Sequence, residues 1–233
     1  GVLIGNTATA DGGTNQVVIG NLAKALAGST IVIGDNAQAA SGAGGAISIG
    51  SKTSATAADA LVLVKGSASG VGSIAIGADT NSSSNAAIAI GSTSEASSNQ
   101  AIALGANTSA SGNQSIAFGF NSKASGSCSV SFGPESFTNA SGAVAIGACS
   151  RSTGVNAIAI GTNTSATCAN SFVLGAGAIA NGTGAGAIGH LANTQGNNSM
   201  AVGVQACAIG ANSMALGTTA CSTGTDSIAI GYS

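Results

Sequence analysis

The stretch Ser73-Ile74-Ala75-Ile76-Gly77 decides the fold, because a version of it returns every fourteen residues along most of the chain. We call its glycine the marker and number each repeat from it. The markers are Gly77, Gly91, Gly105, Gly119, Gly133, Gly147, Gly161, Gly175, Gly189, Gly203, Gly217 and Gly231. Self-similarity at a short fixed period is the signature of a protein built by stacking one structural unit.

Upstream of Gly77 the same unit recurs with uneven spacing. Its markers are Gly5, Gly20, Gly34 and Gly50, followed by Val64 in the glycine's place, with steps of 15, 14, 16, 14 and 13 residues. We therefore expect irregular coils over residues 1–76 and regular fourteen-residue coils over residues 77–233, all of the same β-roll.

Large apolar and small residues alternate just before each marker. Ile74 and Ile76 stand three and one residues before Gly77, while Ser73 and Ala75 stand four and two residues before it. A period of two predicts a β-strand with one large face and one small face. Because burial stabilises large apolar side chains most, we expect the large face to lie between the two sheets of the roll.

A second strand is predicted after the marker. The residues three and five after it are small, as in Thr80 and Ser82, while the positions between them vary freely, which indicates a small inward face and a solvated outward face. Seven residues after the marker a second glycine recurs, for example Gly126 and Gly154. Two glycines half a period apart predict two tight turns, each with a positive φ at its glycine.

Each repeat is thus strand, turn, strand, turn, and the fold class is all-β: a parallel β-solenoid of fourteen-residue coils with two short strands per coil. Helices are excluded because no segment shows a period of 3.6 residues, and recurring glycines would each cost about 1 kcal/mol in a helix.

Charge and hydropathy exclude two classes of partner. The net charge is −2, and only 5 of 233 residues are Lys or Arg, so no basic patch is available to bind nucleic acid. No run of 18 apolar residues occurs, so we expect no membrane span in this chain.

The sequence contains no recognisable catalytic or metal-binding group. The single His190 follows a marker, and we expect it to be a solvated turn residue rather than a catalytic one. The seven acidic residues are scattered: Asp11, Asp35, Asp59, Asp79, Glu95, Glu135 and Asp226. No CxxC occurs to suggest zinc, and no Gly-Lys-Ser/Thr follows a strand to suggest a phosphate loop. We expect no enzymatic activity, no metal and no cofactor.

Five cysteines need separate treatment. Cys207 and Cys221 stand at the same outward position, four residues after their markers, so we expect them to stack one strand spacing apart, within the Cα range of a disulfide. Cys128, Cys149 and Cys168 fall at three different repeat positions, and we expect them to replace other small residues.

Other outward residues do not identify a ligand. They form short ladders, with Asn107 and Asn121 in successive repeats and Asn163 farther on, and include single apolar residues at Phe137 and Ile179. Residues exposed to solvent vary in this way without any ligand, and we assign no ligand-binding residue.

The units Ser115-Ile116-Ala117-Phe118-Gly119-Phe120-Asn121-Ser122-Lys123-Ala124-Ser125-Gly126 and Asn156-Ala157-Ile158-Ala159-Ile160-Gly161 resemble the head repeat of YadA-like trimeric autotransporter adhesins. The resemblance extends over nearly the whole chain. It implies a left-handed parallel β-roll, association of three chains into a homotrimer, and a surface-exposed, extracellular head that binds host cells or extracellular matrix.

Together with this resemblance, the small residues four and two before the marker suggest a close contact between protomers. They run from Ala87 and Ala89 to Ser227 and Ala229, and toward the N-terminus the same ladder contains Leu3, Val18, Val32 and Val62. Only small side chains would fit a close contact, so we expect this ladder to form the trimer interface.

A structural role is the alternative to adhesion. Five cysteines are unexpected in a bacterial adhesin of this type, and a viral or phage fibre, or an extracellular filament, could use the same roll. In that case the chain would lie on a virion surface or in a filament. Ice binding fits poorly, because it requires a ladder of identical threonines that the mixed outward positions do not form.

Overall fold

The computed structural model describes residues 1–232, which form 31 β-strands and no helix. Two compact units make up the chain, Gly1–Ser115 and Ile116–Ser233. The first unit contains β1 Val2–Ile4, β2 Thr9–Ala10, β3 Val17–Ile19, β4 Lys24–Ala25, β5 Ile31–Ile33, β6 Gln38–Ala39, β7 Ile47–Ile49, β8 Ser54–Ala55, β9 Leu61–Ala68, β10 Ile74–Ser82, β11 Ile88–Ile90, β12 Glu95–Ala96, β13 Ile102–Leu104 and β14 Ser109–Ala110.

The second unit contains β15 Ile116–Phe118, β16 Lys123–Ala124, β17 Val130–Phe132, β18 Phe137–Thr138, β19 Val144–Ile146, β20 Arg151–Ser152, β21 Ile158–Ile160, β22 Ser165–Ala166, β23 Phe172–Leu174, β24 Ile179–Ala180, β25 Gly186–Ile188, β26 Asn193–Thr194, β27 Met200–Val202, β28 Cys207–Ala208, β29 Met214–Leu216, β30 Cys221–Ser222 and β31 Ile228–Ile230. Residues 1–232 form no helix, so this part of the chain contains no helix long and apolar enough to cross a membrane.

Both units are parallel solenoids built from the same coil. A regular coil has a three-residue first strand, a tight turn, a two-residue second strand and another tight turn. First strands pair in register with first strands, as Ile88 does with Ile102, and second strands with second strands, as Glu95 does with Ser109. Backbone hydrogen bonds join the coils, for example from the Ile88 N–H to the Ala101 carbonyl oxygen at 2.9 Å. The predicted all-β solenoid of fourteen-residue coils is confirmed.

The two turns of a coil have the same construction. In a first turn, the Ser94 N–H donates to the Gly91 carbonyl oxygen at 3.3 Å, and Thr93 between them has a φ of 56°. In a second turn, the Ser129 N–H donates to the Gly126 carbonyl oxygen at 3.2 Å, and Cys128 has a φ of 56°. A positive φ at the third residue is what a type II turn requires. The third position of each turn is therefore under backbone constraint.

Both recurring glycines lie against the backbone of the next coil, and the marker carries an additional constraint. The marker Gly161 has a φ of 132°, which L side chains rarely adopt. Gly154, seven residues after its marker, has no such φ, but a Cβ built there would lie 2.0 Å from the Cys168 carbonyl oxygen of the next coil. The predicted positive φ at the second glycine is therefore wrong. Close approach of two backbones explains that glycine.

Small side chains fill the interior of the coils, with the exception of Gln16, which is 4% exposed and whose amide donates to the carbonyl oxygens of Ala25 and Ala27. Ala159 in the first strand and Ala166 in the second are fully buried, and so is Thr164 just before the second strand. The largest fully buried side chains are Val18, Val32, Val62, Val173 and several threonines. The predicted small inward face of the second strand is confirmed.

The predicted orientation of the first strand is wrong. In β21 the central Ala159 is buried, whereas Ile158 is exposed and Ile160 half-buried, and both point away from the interior. Two short strands closed by two tight turns lie too close together for large side chains to fit between them. The small face consequently packs inward, and the large apolar residues lie outside.

Many hydroxyl groups in this narrow interior find acceptors within their own coil, whereas the buried hydroxyls of Ser73, Ser115, Ser122 and Ser213 have no hydrogen-bond partner. Thr164 Oγ1 donates to the Gly161 carbonyl oxygen at 3.0 Å, and Ser152 Oγ donates across the coil to the Ala157 carbonyl oxygen at 2.8 Å. A buried hydroxyl without a partner would cost roughly 1–3 kcal/mol. Serine and threonine suit the interior where a backbone acceptor is within reach, as for Thr164 and Ser152.

Length changes in the first unit are absorbed in turns and in one β-bulge. The steps of 15 and 16 residues place their extra residues in turns, and Ile31 still pairs with Ile47 across the longer one. The step of 13 shortens the coil that contains β9, so that the neighbouring β10 bulges between Ala78 and Thr80. Asp79 lies at the bulge and forms an exposed ion pair with Lys65 at 2.8 Å. Val64 adopts a φ of 80°, an outlier for a β-branched residue.

Replacement of Gly154 by alanine tests the close approach of backbones. We expect Gly154→Ala to lower stability by about 1–3 kcal/mol, the usual cost of overpacking, because the new methyl group meets the Cys168 carbonyl oxygen. Gly42→Ala is the control: Gly42 also lies in a turn without a positive φ, but a Cβ there has only the Thr56 carbonyl oxygen nearby, at 3.9 Å. Urea midpoints measured by circular dichroism should separate the two variants, and equal midpoints would contradict this explanation.

Enlargement of Ala159 tests the narrow interior. We expect Ala159→Val to be tolerated, because Val173 occupies the equivalent position of the next coil at 1% exposure. Ala159→Leu should destabilise the protein by about 1–3 kcal/mol through overpacking. Ser165→Leu, at an outward position of the same coil, should leave the urea midpoint nearly unchanged. A tolerated Ala159→Leu would show that the interior can accept large residues.

Candidate functional site

The outward side of the first strands carries the large apolar residues of every coil, and we call it the apolar face. Its members are the residues three and one before each marker. In the first unit they are Val2, Ile4, Val17, Ile19, Ile31, Ile33, Ile47, Ile49, Leu61, Leu63, Ile74, Ile76, Ile88, Ile90, Ile102 and Leu104. In the second unit they are Ile116, Phe118, Val130, Phe132, Val144, Ile146, Ile158, Ile160, Phe172, Leu174, Gly186, Ile188, Met200, Val202, Met214, Leu216, Ile228 and Ile230.

No charged residue occurs at these positions in either unit, and much of the apolar surface is accessible. Phe132 is 47% exposed, Leu174 50% and Leu216 42%. Single exposed apolar residues are ordinary, but contiguous apolar patches of this kind mark interaction surfaces. The apolar face is therefore the strongest candidate for a functional surface on each unit.

Side chains of successive coils stack tightly along this face. The rings of Phe118 and Phe132 lie 4.6 Å apart at an interplanar angle of 5°. At Gly186 the ring of Phe172 fills the place of the missing side chain, since a Cβ there would lie 2.3 Å from ring carbons. The stacking lines up side chains that share a repeat position, so the face consists of continuous ladders within each unit.

The predicted interface of small residues does not exist as a surface. Ala87 and Ala89 are fully buried, as are Val18 and Val32; Leu3 is exposed, at 54%. Apart from Leu3, these side chains point into the coil and are inaccessible to another chain. The period of two correctly identified both faces of the strand, but the assignment of inside and outside was reversed.

The outward side of the second strands is chemically mixed. Lys123, Phe137 and Arg151 follow one another at the same repeat position, with the Arg151 guanidinium 5.0 Å from the centre of the Phe137 ring, a cation–π contact. Ile179 lies farther along the same unit and is 36% exposed. No ladder of one chemical type forms here.

Asn107, Asn121 and Asn163 all occupy the third position of a first turn, with φ values of 57°, 56° and 56°. Asparagine tolerates this left-handed conformation better than most residues. The turn geometry explains these residues without a ligand.

Polar groups of the types used in catalysis do not converge within residues 1–232. His190 is exposed at a turn, as predicted. Asp35 accepts a hydrogen bond from Asn21 at 3.0 Å, and Asp226 accepts one from Asn212 at 2.9 Å. No group of three or more His, Cys, Asp or Glu side chains occurs among these residues in an arrangement that could hold a metal ion.

A shallow groove of about 310 Å³ is lined by Lys52 and by the exposed Lys65–Asp79 ion pair.

None of the five cysteines, all of which lie within residues 1–232, forms a disulfide. Cys207 and Cys221 pair in register, which confirms their predicted stacking. Burial, followed by the hydrogen bond and charge of Cys221, raises the pKa of Cys207. Loss of hydration, with the hydrogen bond and charge of Glu135, raises the pKa of Cys149. Cys168 Sγ donates to the Asn181 carbonyl oxygen at 2.9 Å.

Comparison with known proteins agrees with this architecture. The model of the YadA head domain repeat, which spans two copies of the repeat, matches residues 68–94, 82–108, 96–122, 110–136, 124–148, 152–178, 179–206 and 208–233. No curated protein matched the sequence. The family matches lie in both units and together cover more than half of the chain. The chain therefore belongs to the YadA head repeat family.

Proposed function

We propose that this chain is a non-enzymatic, surface-exposed head of the trimeric autotransporter adhesin type, which assembles as a homotrimer and binds host cells or extracellular matrix. Membership of the YadA head repeat family supports this, since the family is a structural adhesin domain. The observation that carries the proposal is the uncharged apolar face, with Leu174 and its neighbours exposed to solvent in a single chain.

Burial of the apolar face drives assembly in this proposal. Each large apolar side chain moved out of water contributes roughly 1.5–3 kcal/mol, and each coil presents two such positions. Three chains that turn this face toward a common axis bury it without altering the interior of any coil. The trimer interior then supplies the large hydrophobic core that the single coil is too narrow to hold.

Adhesion is assigned to the outward side of the second strands and to the turns, which stay accessible in such a trimer. Their chemistry varies from coil to coil, as in Lys123, Phe137 and Arg151. Weak contacts repeated on three chains add up through multivalency. In this proposal the chain is extracellular and lies at the cell surface.

Replacement of Leu174 by aspartate tests the trimer. Light scattering of the wild-type protein should give three times the chain mass of 21.4 kDa at all working concentrations, and Leu174→Asp should reduce it toward a single chain because the interface would bury a charge. Ile179→Asp is the matched control, since Ile179 is also apolar and exposed but lies on the second strand of the same coil. A wild-type monomer would overturn the proposed assembly.

Binding to immobilised matrix proteins and to whole cells tests adhesion. We expect the wild-type trimer to bind, and the Leu174→Asp monomer to bind at least 100-fold more weakly, at the lower end of the gain that multivalency provides. Ile179→Asp adds the same charge but should remain a trimer, so its binding distinguishes loss of avidity from a general effect of the added charge. A stable trimer that binds neither matrix nor cells would refute the adhesive role and leave a structural fibre segment, while the trimer itself would stand.

A further inference from the structure

Two neighbouring coils of the second unit carry cysteines that face each other. Cys207 lies in β28 and Cys221 in β30, and the two residues pair in register. Both side chains lie on the outward side, because the adjacent Ala208 and Ser222 are the buried members of these strands. Neighbouring strands lie about 4.8 Å apart, within the Cα separation of about 4.4–6.8 Å found in disulfides.

We propose that Cys207 and Cys221 form a reversible thiol–disulfide exchange site, oxidised by small-molecule disulfides to a bond between the two coils and reopened by small thiols. The partner class is a low-molecular-weight thiol and its disulfide, such as glutathione in its two redox forms. This proposal does not depend on adhesion or on the trimer.

The strand geometry makes the bond reversible rather than permanent. Side chains at paired positions of parallel strands run side by side, so their Cβ atoms are separated by about the strand spacing of 4.8 Å. A relaxed disulfide needs a Cβ separation of about 3.8 Å. Closing the bond therefore pulls the two strands together against their own hydrogen bonds, and a strained, exposed disulfide is the kind that thiols reduce readily.

The chemistry proceeds in two displacements. The exposed Cys221 loses its proton, and its thiolate attacks one sulfur of the small disulfide, forming a mixed disulfide and releasing one small thiolate. Cys207 then loses its proton and attacks the Cys221 sulfur, forming the bond between coils and releasing the second small thiolate. The two protein thiols give up two electrons and two protons, and the small disulfide is reduced to two thiols.

The exposure of the two thiols favours this order. Cys221 is exposed, whereas Cys207 is half-buried between its neighbours in the ladder, Asn193 on one side and Cys221 on the other. The oxidant therefore reaches Cys221 first. Burial also raises the pKa of Cys207, so the second displacement should accelerate as the pH rises.

The other three cysteines lack a partner thiol at the equivalent position of the next coil. That position is occupied by Gly142 for Cys128, by Asn163 for Cys149 and by Gly182 for Cys168. The Cys149 and Cys168 thiols are also engaged elsewhere, with Glu135 at 3.6 Å and the Asn181 carbonyl oxygen at 2.9 Å. These residues serve as internal comparisons for the pair.

A triple variant that keeps only the pair provides the test: Cys128→Ser, Cys149→Ser and Cys168→Ser. After incubation with oxidised glutathione, we expect intact-mass spectrometry to show the loss of two hydrogens and thiol titration to show the loss of both thiols. Reduced glutathione should restore both, and oxidation should be faster at higher pH. Circular dichroism before oxidation verifies that the variant is folded.

The matched control keeps two thiols that are not paired: Cys128→Ser, Cys149→Ser and Cys207→Ser, which leaves Cys168 and Cys221. We expect it to accumulate mixed disulfides with glutathione and no internal bond. The proposal is overturned if the pair variant retains both thiols, stops at a mixed disulfide, or forms bonds between chains on a non-reducing gel. A bond that reduced glutathione does not reopen would equally overturn its reversible character.

Discussion

The width of a single coil is the constraint on which the rest of the structure depends. Two short strands are joined at both ends by turns, each closed by a hydrogen bond between residues three apart, as from Ser129 to Gly126. Such turns fix the two strands close together. Alanine, serine, threonine and glycine fill the space between them, and valine is the largest aliphatic residue that fits, as at Val173.

This narrowness determines where large apolar residues can lie. Ile158 and Ile160 cannot enter the interior, so they stand on the outer face of the first strand. A globular domain buries such residues within one chain, whereas this fold keeps them available for contact with others. In the proposed trimer, the hydrophobic core lies between the three chains rather than inside each one.

Variation is confined to the places where the coil tolerates it. Extra residues in the first unit enter turns, and the missing residue near Val64 is absorbed by a bulge at Asp79. Outward positions of the second strands change freely, because no neighbouring strand packs on them. The paired thiols of Cys207 and Cys221 occupy such positions, so redox chemistry can be added there without disturbing the interior.

The sequence by itself determined the repeat, the two strands per coil and their parallel stacking, because the fourteen-residue period and the alternation around Ile74 and Ile76 express them directly. It also determined the pairing of Cys207 with Cys221, since residues one period apart stack. Only the tertiary structure decided which face of the first strand is inside. An alternating pattern is unchanged when the strand is turned over, and the choice depends on the distance between strands that the turns impose. The role of Gly154 was also decided only by the tertiary structure, because it depends on close approach between the backbones of neighbouring coils, which no single repeat reveals.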